Sequence, residues 1–147
     1  MNTENTVLEL SSDDFASADT ATMNVMVGGK PSGWLWEFAG PSHPKTLNQA
    51  NRTARETLHK TRLIEQAQVN GRKWIAEEQT PDQVRAGNVD YVIERLLGWS
   101  AIRIDGADVP FTDAKAREML ANPKNVSLLA QAMEFLAADS SFTKRSA

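Results

Sequence analysis

His43 and His59 are the two imidazoles of the sequence, and neither has a second histidine one helical turn away. A metal centre would therefore have to recruit carboxylates from distant segments, which is a poor ligand set. The chain has no cysteine, so disulfides, thiolate-bound zinc, iron-sulfur clusters and thiol nucleophiles are all excluded. No serine sits in a G-x-S-x-G elbow. The carboxylate neighbours Asp13-Asp14 and Glu77-Glu78 fall in segments that read as a tail and a loop, where solvated charge is a better reading than an acid–base pair. Gly28-Gly29-Lys30 could suggest a phosphate cradle. It lacks the remainder of the Walker pattern and leads into a strand rather than a helix, so it reads as a hairpin turn. We assign no catalytic residue, no cofactor and no metal site, and expect a protein that is not an enzyme.

One cationic region remains. Lys45, Arg52, Arg55, Lys60, Arg62, Arg72 and Lys73 stand against Glu56 and Glu65 alone. They could meet phosphates, but they are spread around a helix, and the whole chain carries a formal net charge of -3. Nucleic-acid binding is thus a lesser reading. Glu4, Glu9, Asp13, Asp14 and Asp19 occupy the first twenty residues with no Lys or Arg among them, and could neutralise the basic helix within one chain.

The positioning elements follow from periodicity. Residues 1–20 bury little by composition and read as an acidic flexible arm, with Val7-Leu8-Glu9-Leu10 the part expected to dock. Residues 21–139 read as a single α+β domain and 140–147 as a flexible basic tail, with Phe142 beside Lys144-Arg145. Met23, Val25 and Val27 alternate on one strand, residues 28–33 are turn formers, and Trp34, Trp36 and Phe38 alternate on the returning strand. Such a hairpin is marginal alone, so its aromatic face must cover either the chain's own helices or a partner. Pro44 opens a long helix to about Asn70, with a thin stripe of Leu47, Ala50, Ala54, Leu58 and Thr61.

Thr80 and Pro81 start the next helix, whose Val89, Val92, Ile93 and Leu96 mark the centre of the core and which stops at Gly98. Residues 101–104 alternate, Asp105-Gly106 turns, and Val109–Phe111 can return as a short strand. Thr112 or Asp113 caps a helix to Ala121, and a last helix runs from Val126 to about Ala138 with Leu129, Ala132, Met133 and Leu136 inward. The expected fold is α+β: a mainly helical domain of about four helices with an N-terminal β-hairpin and a short second hairpin. No apolar run approaches the roughly 18 residues that span a bilayer, and the first residues lack the order of a signal peptide, so we expect a soluble cytosolic protein without membrane contact.

Three runs carry a resemblance: Gly33-Trp34-Leu35-Trp36-Glu37-Phe38-Ala39-Gly40-Pro41, Ile64 through Trp74, and Leu97-Gly98-Trp99 through Asp105-Gly106 to Val109-Pro110-Phe111. Together they resemble the small tail assembly chaperones of long-tailed bacteriophages, over most of residues 23–147. The resemblance implies a non-enzymatic role in virion assembly in the host cytoplasm. There, such a protein binds the tape measure protein, keeps it soluble while tail tube protein polymerises around it, and is absent from the mature virion. It implies protein–protein interaction, with self-association into oligomers. The interaction candidates are Trp34, Trp36, Phe38, Trp74, Trp99, Phe111, Leu129, Met133, Leu136 and Phe142, each of which is otherwise a core residue. A structural virion protein, for tail completion or head–tail connection, is the alternative.

Overall fold

The computed structural model describes residues 7–73 and 78–142. The first hairpin pairs β1 (Thr20–Val27) with β2 (Lys30–Ala39). Its turn is tighter than the six residues expected. Gly28 and Gly29 alone make it, at φ 60° and 78°, with Val27 opposite Lys30. Two successive positive φ values define the turn whose twist matches antiparallel strands, and glycine adopts them without strain.

The extra residues are spent in a bulge. Between the Asn24↔Leu35 and Met26↔Pro31 pairs, β2 holds more residues than β1. Gly33 takes φ 87° there and donates its N–H to Asn24 Oδ1 at 2.9 Å. A bulge re-aims the side chains that follow it. Trp34, Trp36 and Phe38 consequently face inward with Met23 and Val25, while Val27 is turned out to solvent.

Helix α1 (Pro44–Val69) begins as expected at Pro44, with His43 Nδ1 accepting from Lys45 N at 3.1 Å as its cap. Helix α2 (Pro81–Arg95) starts on a full capping box between Thr80 and Gln83. It ends sooner than expected. Leu96–Trp99 leave the helix as strand β3, which pairs antiparallel with β2 through Trp36↔Trp99 and Phe38↔Leu96 and makes a three-stranded sheet ordered β1-β2-β3. Arg103–Ile104 and Ala107–Asp108 form the second hairpin, β4 and β5, around Asp105 and Gly106 at φ 52° and 79°. Its ladder is shorter than the expected one, because Pro110 can donate no hydrogen bond and Val109 N reaches Ile102 O as the last rung at 3.0 Å. Helix α3 (Asp113–Ala121) is capped by Thr112, and α4 (Val126–Ala137) follows a 3₁₀ turn at Pro123–Asn125.

The core lies between the sheet and helices α2, α3 and α4. Val89, Val92, Ile93 and Leu96 are buried there as their spacing predicts, together with Ala116 and Leu120 of α3 and Leu128, Leu129, Ala132 and Leu136 of α4. A buried Leu or Phe contributes about 1.5–3 kcal/mol by leaving water, so this apolar layer dominates stability.

Helix α1 stands outside that layer. Its hydrogen bonds and ion pairs to other described elements come from its first turns: Lys45 to Leu96 O, Thr46 to Ala39 O, Gln49 to Tyr91 O and Glu94, and Arg52 to Glu94. The face turned to α2 is thus polar. The expected stripe of Leu47, Ala50, Ala54, Leu58 and Thr61 lies on the opposite side of the helix and is exposed, Leu47 and Leu58 by 50% and 52%.

The acidic segment behaves differently from its expected mode of docking. Val7, Leu8 and Leu10 are exposed by 85%, 81% and 56%. Attachment is instead by backbone further along: Ala18 N donates to Phe142 O at 2.8 Å, and Gly40 N donates to Asp19 O at 2.6 Å. Phe142, expected in a frayed tail, is buried in the core on the Asp139–Phe142 turn.

Candidate protein-interaction surfaces

The sheet geometry gathers nearly all the aromatic candidates into one string. Phe111 meets Trp99 edge-on at 4.9 Å, and Trp99 meets Trp34 and Trp36 at 5.4 and 5.2 Å. Trp36 leads to Phe38 at 6.3 Å, Phe38 to Phe135 at 5.5 Å, and Phe135 to Phe142 at 5.6 Å. These are edge-to-face and tilted separations of the kind aromatic rings favour, worth about 0.5–1.5 kcal/mol per pair beyond area burial.

Of the candidates, Trp34, Trp36, Phe38, Leu129, Leu136 and Phe142 are core side chains. Trp99, Phe111 and Met133 are half-buried and pack against that core. Trp74 lies outside the described residues. Phe135, which links Phe38 to Phe142, was missing from the expected inward set on α4, which ran from Leu129 to Leu136 without it. A helix on which nearly every turn is apolar gives little basis for choosing a face.

What remains open to a partner is a groove of about 1020 Å³ beside this string. One wall is the end of the first hairpin, with Val25, Met26 and Val27; the second hairpin and Pro110 form another; Met119 and Leu128 form its helical floor. Trp34 also lines it, and its indole Nε1 finds no acceptor among the described residues.

The groove's edge carries a specific polar device. Gln131 on α4 accepts from Met26 N at 2.7 Å and donates back to Met26 O at 3.1 Å. One side-chain amide thereby occupies the outer edge of β1, where an added strand would otherwise pair. Met26 and Val27 stay exposed by 40% and 65%. Lys115, Glu118 and Lys124 stand around the apolar wall, a mixed rim with no single sign of charge.

The histidines serve structure or solvent: His43 caps α1, and His59 is exposed on it. Among the described residues, no three acidic or imidazole side chains converge on one point. No described helix is long and apolar enough to cross a membrane.

A second surface is the outer face of α1. Arg52 is held by Glu94, whose hydrogen bond raises the guanidinium pKa above its ordinary value, with smaller charge contributions from Glu94, Glu56 and Asp90. Lys45 is directed to Leu96 O. Arg55 and Arg62 make no ion pair among the described residues, and they flank the exposed Leu58 one turn before and one turn after. Of the seven cations, Lys45 and Arg52 are thus turned inward, to Leu96 O and Glu94, while Arg55 and Arg62 form an outer pair beside an apolar stripe. No family model, no curated protein and no solved structure matches the chain.

Proposed function

We propose that this chain is a tail assembly chaperone of a long-tailed bacteriophage, acting in the host cytoplasm to hold the tape measure protein soluble while the tail tube polymerises. The observation that carries the reading is the open apolar groove between the two hairpins and α3–α4, taken with the resemblance of the runs, two of which contribute Trp34 and residues between 104 and 110 to its lining. An amphipathic client helix is recognised by laying its apolar side in such a groove, with charge kept to the rim for solubility. Met26, Val27 and Met119 supply adaptable contacts, and methionine suits a surface that must accept many similar segments along a repetitive client.

Co-expression with the tape measure protein tests the reading. The chain should co-purify with that client and raise its soluble fraction, and Val27→Glu should reduce both while leaving the circular dichroism spectrum unchanged. Failure of the wild-type chain to do either would refute the chaperone reading. Stoichiometric presence in purified virions would instead support a structural tail completion or connector protein.

A further inference from the structure

The outer face of α1 and the acidic segment are complementary surfaces that the single chain leaves apart. On α1, Leu47, Ala54 and Leu58 form an exposed apolar line, and Arg55 and Arg62 border Leu58 with no ion-pair partner among the described residues. Pro44–Val69 holds Lys45, Arg52, Arg55, Lys60 and Arg62 against Glu56 and Glu65. The segment before β1 has the opposite character. It carries five carboxylates and no cation in its first twenty residues, and its Leu8 and Leu10 are largely exposed.

The two features agree in both of the properties that set an interface: each offers an exposed leucine pair, and their charges are opposite. Within one chain the two surfaces do not cover each other, since Val7, Leu8, Leu10, Leu47 and Leu58 are all exposed. Ala18 is bonded to Phe142 and Asp19 to Gly40, Ser11–Asp14 is closed into its own capped turn, and Val7–Leu10 leave that turn into solvent rather than onto α1.

We propose that the Val7–Leu10 stretch of one copy packs on the Leu47–Ala54–Leu58 face of α1 in a second copy, with the net negative charge of the acidic segment set against the positive charge of Arg55 and Arg62. Leu8 and Leu10, two residues apart in an extended strand, fall on one side and can both reach the apolar line. The contact covers Leu58, whose exposure serves no purpose in the isolated chain, and it places Arg55 and Arg62 where they attract a negative segment. Given and received by each copy, it generates either a closed exchanged dimer or a ring, according to the rotation between copies. This inference is independent of the client-binding reading, since none of its residues lines the groove.

Sedimentation equilibrium on the full chain tests it, with two variants whose substitutions all lie on exposed side chains. Wild type should associate reversibly at micromolar concentration, and more weakly by about tenfold when salt is raised enough to screen exposed charges. Leu8→Asp with Leu10→Asp, and separately Arg55→Glu with Arg62→Glu, should each weaken association at least tenfold at low salt. An equimolar mixture of the two variants still has one intact segment and one intact helix face. It should form a mixed dimer tighter than either variant forms alone. A wild-type chain that stays monomeric throughout, or variants that associate as tightly as wild type, would overturn the proposal. So would a mixture no tighter than its parts. The same would follow if Arg55→Glu with Arg62→Glu abolished binding to duplex DNA while leaving self-association intact, because the face would then serve a polyanion.

Discussion

Arg95 is buried to 6% exposure, and its charge is dispersed onto one carbonyl and one ring. Its Nε and Nη2 donate to Ala39 O at 3.2 and 2.7 Å, and its guanidinium carbon lies 5.2 Å from the Phe142 ring centre. It thus ties the end of β2 to the Asp139–Phe142 turn. Arg95→Ala removes both of its bonds to Ala39 O and opens a cavity under Phe142. We expect a loss of about 2–4 kcal/mol in urea unfolding, and a smaller one for Arg95→Met, which keeps the stem's volume and removes a charge that must be desolvated. Gly40 is constrained by space rather than by φ. A Cβ there would collide with the Ala18 carbonyl, and the residue's own N–H is bonded to Asp19 O. Gly40→Ala should cost about 1–3 kcal/mol and release the acidic segment from the sheet, which limited proteolysis would detect as earlier cleavage between residues 7 and 19. Neither role was legible in the sequence. The helix start at Pro44 and the caps Thr80 and Thr112 were, because such signals act over two or three residues. Arg95 and Gly40 are fixed by neighbours tens of residues away.

At the scale of elements, α1, α3 and α4 and the start of α2 were placed within a residue or two, because helix starts and stops are local events. Strand β3 was not. Leu96 continues the buried stripe of α2, so the stretch reads as helix until β2 supplies the pairing partner from about sixty residues earlier. The inner face of α1 was not legible either: periodicity locates its apolar stripe but does not say that Gln49, Arg52 and Glu94 make a polar seam on the other side.

Two outcomes follow for the elements. Leu58→Asn should change stability by no more than about 0.5 kcal/mol, whereas Leu129→Ala in α4 should cost about 2–5 kcal/mol, both read from thermal melts. Gln131→Ala removes both bonds that occupy β1 at Met26, at a net cost of about 1–2 kcal/mol. It also bares a strand edge, so light scattering on heating should rise at a lower temperature than in wild type.

For the whole molecule, the uneven distribution of buried contacts implies uneven local stability. The sheet and helices α2, α3 and α4 share one apolar core, while α1 is bound to it through side chains in its first turns and buries only Gln49. A helix that buries so little depends on its intrinsic propensity, and an isolated helix of this length is marginal in water. Amides open with free energies that track such differences. Hydrogen exchange on dilute protein should therefore show strong protection in β2 and α4, intermediate protection through Arg52, and weak protection from Leu58 to Val69. If the outer face of α1 is covered by a second copy, that last value should rise with protein concentration, together with the protection of residues 8–10, and both should fall again in high salt. Coverage of the groove by a client would leave α1 unchanged and protect residues 25–27 instead. The same measurement thus separates the two surfaces of the molecule. Concentration-independent, uniformly high protection along α1 would contradict the picture of a helix held at one end.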